Sequence, residues 1–292
     1  MQQITWTYCQ VKSDEILTDG LWKLKTNHIL PQTEVLYSAY GNYLLSNGGE
    51  HYYIGEGKNL FKRVKQQFNP KTTTFYKTYQ KFCEKNNREK LAINDFSIQY
   101  IPTEIGRKEI EDFGIVNLAT PLNKFQKGKR TKFDIESKEG LWNNVQDKKE
   151  ELLKQGEKLL FAQSVLSWGD CCPEKTPGIY VLFDHDKVIY VGESSDISAR
   201  YATHSNTRST YFSAVRRNTS TDILGYQLKV KNGKKKYLTE AENIEVTKYL
   251  FGRCAIFLPV TFGRYELEEY LIKKYKPLLN RKDNRVSNLD AQ

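Results

Sequence analysis

Two tyrosines ten residues apart, an arginine ten residues further on, a distant glutamate and an asparagine twelve residues past it form an ordered set suited to phosphate chemistry. In the C-terminal half of this 292-residue chain they are Tyr180, Tyr190, Arg200, Glu268 and Asn280. Cleaving a phosphodiester needs an activated water, neutralised charge at phosphorus and help for the departing 3′ oxygen. A carboxylate such as Glu268 can hold one Mg²⁺, which keeps several waters and binds phosphate oxygens directly. Arg200 offers a fixed cation with a planar fork of donors. Tyrosines can orient the attacking water, or remove its proton where the surroundings lower a pKa near 10. The N-terminal half holds the same set as Tyr43, Tyr53, Arg63, Glu111 and Asn123. The first three pairs are offset by 137 residues and the last two by 157. Such spacing is expected of one domain duplicated, with about 20 net residues inserted in the second copy.

The strings that carry these residues, "GIYVLFDHDKVIYVGESSDISARYATH" with "LEEYLIKKYKPLLN" and "GNYLLSNGGEHYYIGEGKNLFKRVKQQF" with "IEDFGIVNLATPLN", resemble the GIY-YIG nuclease superfamily. The likeness covers roughly 41–123 and 177–280, and the earlier copy is also similar to the excision-repair nuclease of that superfamily. The resemblance implies an α/β (α+β) fold of two tandem GIY-YIG cores, each a small, mainly antiparallel sheet flanked by helices. It assigns Tyr180 as general base, Tyr190 as positioner of water or phosphate, Arg200 as phosphate clamp and Glu268 as metal ligand. Asn280 would tie the chain back to the site by hydrogen bonding. Tyr43, Tyr53, Arg63, Glu111 and Asn123 take the same roles in the first core, with Glu111 on its metal. His204, one helical turn after Arg200, stands where the family commonly has histidine or tyrosine. Its counterpart, Gln67, hydrogen-bonds but cannot shuttle a proton near neutral pH. Glu56 and Glu193 follow the YIG and YVG triplets, where members of the excision-repair type have a lysine.

The elements that must position these groups are legible. Residues 41–56 read as a hairpin turning at Ser46-Asn47-Gly48-Gly49, since Asn-Gly tolerates positive φ; the second copy turns at Asp184-His185-Asp186-Lys187. Helices are expected near 58–68 and 195–204, with the glycine after each second strand allowing a sharp turn into them. Further helices are expected over 106–119 and near 143–163, and a strand over "CAIFLPVTF". Leu267, Leu271 and Tyr275 mark the buried stripe of the glutamate helix, with Glu268 at its edge and Pro277 as its stop. Thr239 and Glu242 have capping-box spacing. Gly140-Leu141-Trp142 echoes Gly20-Leu21-Trp22, as though each core had its own lead-in. The expected domains are 1–123, a linker with a connecting helix over 124–176, and 177–292 with a basic hairpin insertion.

Composition narrows the class. The formal net charge is +10, and residues 177–292 hold 19 lysines and arginines against 13 acidic residues. A positive excess favours a polyanionic partner. Arg208, Arg216 and Arg217, after the arginine helix, and Lys231, Lys234 and Lys235 of the inserted hairpin are the DNA-contact candidates. Five scattered cysteines without a CxxC pair, a polar N-terminus and no long apolar run point to a cytoplasmic protein that does not contact a membrane. The expected function is a Mg²⁺-dependent, sequence-specific double-strand DNA endonuclease, type II restriction-like, with Mn²⁺ able to substitute. One core would cut each strand in a monomeric pseudo-dimer, and a companion DNA methyltransferase would protect the same site. The alternatives are a structure-selective nicking nuclease of repair or recombination with only the second core active, and a non-catalytic DNA-binding protein on a nuclease scaffold.

Overall fold

The computed structural model describes residues 3–123, 132–206, 210–231 and 234–281. Contacts divide the chain into two units, Met1–Glu150 and Glu151–Gln292. Each is a small antiparallel sheet flanked by helices. The first runs α1 (Trp6–Val11), α2 (Ser13–Thr26), β1 (Gly41–Asn47), β2 (Glu50–Gly57), α3 (Leu60–Phe68), α4 (Thr74–Asn86), β3 (Ser97–Pro102), α5 (Arg107–Asn117) and α6 (Leu141–Asp147). Its strand order is β2-β1-β3. The boundary falls inside α7 (Lys149–Phe161). The second unit continues with β4 (Leu166–Ser167), β5 (Gly178–Asp184), β6 (Lys187–Ser194), α8 (Ile197–Ser205), α9 (Ala214–Asn218), β7 (Lys229–Lys231), β8 (Lys234–Tyr237), α10 (Glu240–Phe251), β9 (Cys254–Pro259) and α11 (Arg264–Tyr275). Its main sheet is ordered β4-β9-β5-β6, with β7-β8 a separate ribbon.

The two hairpins share one register. Tyr43 faces Gly55 and Tyr180 faces Gly192, and each ladder shifts register once, at Leu45/Ser46 and at Leu182/Phe183. β1 also pairs with β3, and β5 with β9, so Tyr43 and Tyr180 sit on the central strand of the paired elements. The first hairpin turns about Gly48 and Gly49, both at positive φ, one residue later than the Asn-Gly pair implied. Two glycines there make the mirror-image turn free of Cβ clash.

Helix starts follow local capping chemistry. Asn59 Oδ1 accepts the Lys62 N–H and Asp196 Oδ1 the Ala199 N–H, each 2.9 Å, ahead of α3 and α8. Gly106 and Gly263, at φ 90° and 78°, begin α5 and α11 in the left-handed region. The Thr239–Glu242 capping box forms as expected. Leu267 and Leu271 are buried, Glu268 is half-buried, and α11 stops two residues before Pro277.

Three expectations change. Gly55 and Gly192 do not turn the chain, because both lie inside strands. The phenol of the facing tyrosine lies over each: a Cβ on Gly192 would come within 2.4 Å of the Tyr180 Cζ and Oη. The single connecting helix near 143–163 is two helices, broken where Lys148 leaves helical geometry. The lead-in likeness lies in another register. At an offset of 136, Trp6, Cys9, Ile16, Leu17 and Leu24 align with Trp142, Val145, Leu152, Leu153 and Leu160, and all ten are buried. Gly20-Leu21-Trp22 and Gly140-Leu141-Trp142 are not equivalent, since Trp22 is exposed and Trp142 buried. The Trp142 ring packs on Gly20, and Asp19 accepts the Lys138 and Trp142 N–H groups. Among the described residues no helix is long and apolar enough to cross a membrane.

The Tyr180–Gly192 contact gives a direct test. Gly192→Ala should destabilise the chain by about 1–3 kcal/mol through overpacking. Gly252→Ala, whose added methyl would meet only ordinary contacts at 3.6 Å, should stay within about 0.5 kcal/mol of the parent. Urea unfolding of the two variants side by side checks this, and equal midpoints would refute it.

Candidate active site

Alternation along the strands sets the site. Tyr180 and Leu182 share a face of β5, and Leu182 is opposite Tyr190 on β6. The two tyrosines are therefore diagonal neighbours on one face, with ring centroids 6.0 Å apart at 36°. Tyr43 and Tyr53 repeat this arrangement, at 6.0 Å and 37°. α8 crosses the same face of the second sheet and brings His204 against both rings. The Tyr180 hydroxyl lies 2.7 Å from His204 Nε2, and His204 Nδ1 lies 2.7 Å from the Ser213 hydroxyl. Ser213 Oγ also accepts the Arg216 N–H as cap of α9. Trp168, fully buried, packs beside Tyr180, His204 and Phe257.

In the first unit the place of His204 is taken by Gln67, whose Nε2 donates to the Tyr43 hydroxyl at 2.9 Å. An amide holds that hydroxyl but cannot accept its proton. In the tautomer with a proton on Nδ1, His204 instead presents a lone pair to Tyr180. Burial first, then the charges of Arg200, Arg216 and Arg217, holds the His204 pKa down to about 3, so the ring is neutral at neutral pH. Burial first and then Tyr190 push the Tyr180 phenol well above its usual range. Tyr43 is raised likewise, by burial and then Tyr53.

These surroundings alter the place expected for Tyr180. It is only 2 % exposed and its hydroxyl ends on His204, so it lies behind Tyr190 rather than at an open surface. In the first unit the same order is visible as space. A cavity of about 240 Å³ is lined by Tyr53, Arg63, Gln67, Glu111 and Asn123, with Tyr43 behind them. The Arg63 charge acts on both tyrosines there. Arg200 is half-buried one turn before His204, with its charge acting on Tyr180 and His204.

Asn123 and Asn280 have a purely geometric task. β2 and β6 are edge strands, with unpaired peptide groups on one side. Asn280 Oδ1 accepts the Val191 N–H at 2.9 Å and its Nδ2 donates to the Val191 carbonyl at 2.8 Å. Asn123 does the same to Ile54, at 3.0 and 2.7 Å. Each amide replaces a missing strand beside the YIG-type triplet.

The glutamates after those triplets are anchored by the helix that carries the metal candidate. Glu193 pairs with Arg264 Nε at 2.6 Å, and its N–H donates to Glu268 Oε1 at 3.1 Å. Glu268 is thus aimed by the backbone next to the site, and one oriented carboxylate fits a Mg²⁺ that takes its other ligands from water and phosphate. In the first unit Lys108 Nζ lies 3.1 Å from Glu56 and 3.4 Å from Glu111, and Arg107 is 3.9 Å from Glu56. Burial holds the Glu111 carboxyl up to about 7, opposed by Lys108. Here an ammonium already sits on the carboxylate, so this set does not fit a divalent ion. Among the described residues no group of three or more His, Cys, Asp or Glu could hold a metal.

The DNA-contact candidates fare differently from one another. Arg216 is fully buried, donating to the His204 and Asn243 carbonyls and to Thr247 Oγ1, so it cannot reach DNA. Arg217 is half-buried and donates to the Thr210 and Tyr211 carbonyls. Arg208 lies outside the described residues. Lys231, Lys234 and Lys235 lie on the β7–β8 ribbon, whose turn at Asn232-Gly233 is also outside them. Ser213, Arg264 and Lys108 were missed in the sequence. Lys108 could have been found by aligning the halves, where it faces Tyr265 at the offset of 157; Ser213 carries no such signal.

The buried histidine predicts an acid sensitivity. The folded chain excludes a proton that the unfolded chain binds at its ordinary 6.5. This contribution is complete above pH 6.5 and is lost as pH falls towards 3. At pH 5 the loss is about 2 kcal/mol. His204→Gln should remove it, so urea unfolding at pH 7.5 and 5 should show a smaller acid loss in the variant. Equal losses would mean that His204 binds protons normally when folded.

Residues 179–291 match the family model of the GIY-YIG catalytic domain. No curated protein and no solved structure shows significant similarity to the chain. The chain therefore carries one GIY-YIG catalytic domain in its second unit, which indicates a nuclease, a hydrolase of phosphodiesters.

Proposed function

We propose that the chain is a divalent-metal-dependent DNA endonuclease built from two GIY-YIG cores, of which the second makes the cut. The observation that carries this is the chain of contacts from Tyr190 through Tyr180 to His204 and Ser213, interrupted in the first unit by Gln67. Water is held at the Tyr190 hydroxyl for attack on phosphorus, opposite the 3′ oxygen. The P–O bond to water forms as the bond to the 3′ oxygen breaks. The water's proton passes to Tyr190 as Tyr190 gives its own to Tyr180 and Tyr180 gives its own to the Nε2 lone pair of His204, while the departing 3′ oxygen takes a proton from solvent. Arg200 holds the phosphate oxygens by charge-assisted hydrogen bonds. Glu268 would hold the Mg²⁺, which supplies Lewis-acid stabilisation of charge at phosphorus. DNA as the substrate rests on the positive excess of residues 177–292.

A second reading is supported by the repeated geometry of the tyrosine pairs and the asparagine clamps. Both cores would then act, one per strand, giving a sequence-specific, restriction-like double-strand cut with a companion methyltransferase. Gln67 and Lys108 weigh against it. If one core acts per chain, a break in both strands takes two chains.

Supercoiled plasmid and unmethylated phage DNA incubated in Mg²⁺ separate these readings. Nicked circles that survive Glu111→Ala and disappear with Glu268→Ala or EDTA are expected. His204→Gln and Tyr190→Phe should each slow nicking about 10²–10⁴-fold. Discrete linear fragments lost with either glutamate would favour two acting cores. DNA that is bound but never cut in Mg²⁺ or Mn²⁺ would reject catalysis altogether.

A further inference from the structure

Lys108 is the clearest difference between the two units that the cutting mechanism leaves unused. Its position corresponds to Tyr265, three residues before the glutamate in both units, on the first turn of α5 or α11. Arg107 and Arg264 are likewise equivalent, as are Glu56 and Glu193. Each unit thus places an arginine by the glutamate that follows its triplet: Arg264 at 2.6 Å from Glu193, and Arg107 at 3.9 Å from Glu56. The first unit adds a second cation, Lys108, which bridges Glu56 and Glu111. Three carboxylates, Glu56, Glu111 and Asp112, meet three cations there: Arg107, Lys108 and Arg63, which lines the same cavity as Glu111. A divalent ion on Glu111 would bring two further positive charges within a few ångströms of the ammonium, in a poorly solvated place where like charges repel strongly.

We propose that Lys108 stands permanently where a divalent cation would act, so that the first site grips a DNA phosphodiester without metal and without cutting it. This rests on the reading of the chain as a DNA nuclease. The cavity beside Glu111 still offers what phosphate recognition needs. Arg63 lines it with its guanidinium, and Tyr53 adds a hydroxyl. Ile115, half-buried, supplies an apolar wall against which a sugar can lie. The Lys108 side chain remains one-third exposed while it pairs with both glutamates, so its charge reaches the cavity's surroundings. An ammonium is a fixed monovalent charge. It neutralises a phosphate, but it carries no bound water to activate and polarises phosphorus less than Mg²⁺. With Gln67 in place of a proton acceptor, the site has lost two separate requirements for hydrolysis and kept those for binding.

The test uses the full chain carrying Glu268→Ala, which disables the second site and leaves the first intact. Anisotropy of a labelled duplex oligonucleotide, at constant ionic strength, is measured in EDTA and in millimolar Ca²⁺. Binding in EDTA that Ca²⁺ changes less than twofold is expected. Adding Arg63→Ala should weaken binding about tenfold under both conditions. Adding Lys108→Met should weaken it about tenfold in EDTA and let Ca²⁺ restore it, because Glu111 can then accept the ion. Circular dichroism confirms that each variant is folded. The proposal alone is overturned if the parent chain cuts DNA while Lys108→Met binds as its background does in EDTA. It is also overturned if Glu268→Ala still cuts in Mg²⁺ and loses that cut on adding Glu111→Ala. A parent chain that neither binds nor cuts DNA overturns both this proposal and the nuclease reading.

Discussion

The constraint on which the second unit depends is the absence of one Cβ. Tyr180 can lie across the sheet only because its cross-strand partner is Gly192; any larger residue would collide with the ring. From that position the phenol is buried and its hydroxyl meets α8 at the level of His204. Tyr190 then lies tilted beside it, and Asn280 holds the peptide between Tyr190 and Gly192 in place of a missing strand. A glycine that looks like a turn residue in the one-dimensional pattern is a packing residue in three dimensions.

The same frame carries different chemistry in the two units. Strand registers, tyrosine spacing and asparagine clamps agree closely, so the backbone and core are equivalent. Beyond the ribbon, β4 and α10 of the second unit, the differences that bear on chemistry lie in single side chains against that frame. Gln67 for His204 changes whether a proton can leave Tyr43, and Lys108 for Tyr265 changes the charge that meets the buried glutamate.

Arg216 and Arg217 sit beside the site, and their charge and position made them attractive as DNA contacts. Arg216 is instead a core residue, whose guanidinium ties the end of α8 to α10 through carbonyls and a hydroxyl. Its planar donor set can satisfy several buried acceptors at once, at the cost of keeping an arginine away from solvent. Both arginines also help to keep His204 neutral. Charge counted along the sequence overstates what is available to a polyanion.

Spacing alone pointed to the two hairpins, to the helices bearing arginine and glutamate, and to matching tyrosine, arginine, glutamate and asparagine positions in the two halves. Those features are local, set by alternation, capping and glycine placement, and a sequence carries them directly. The lead-in likeness lies in matching burial rather than identical letters, and burial is not visible before folding. The sequence also left open which tyrosine stands in front, which arginine is buried, that Ser213 completes the His204 pair, and that Lys108 reaches Glu56. These depend on contacts between elements far apart in the chain. Only tertiary packing decides them, because it alone sets which groups lose water and which partner each then meets.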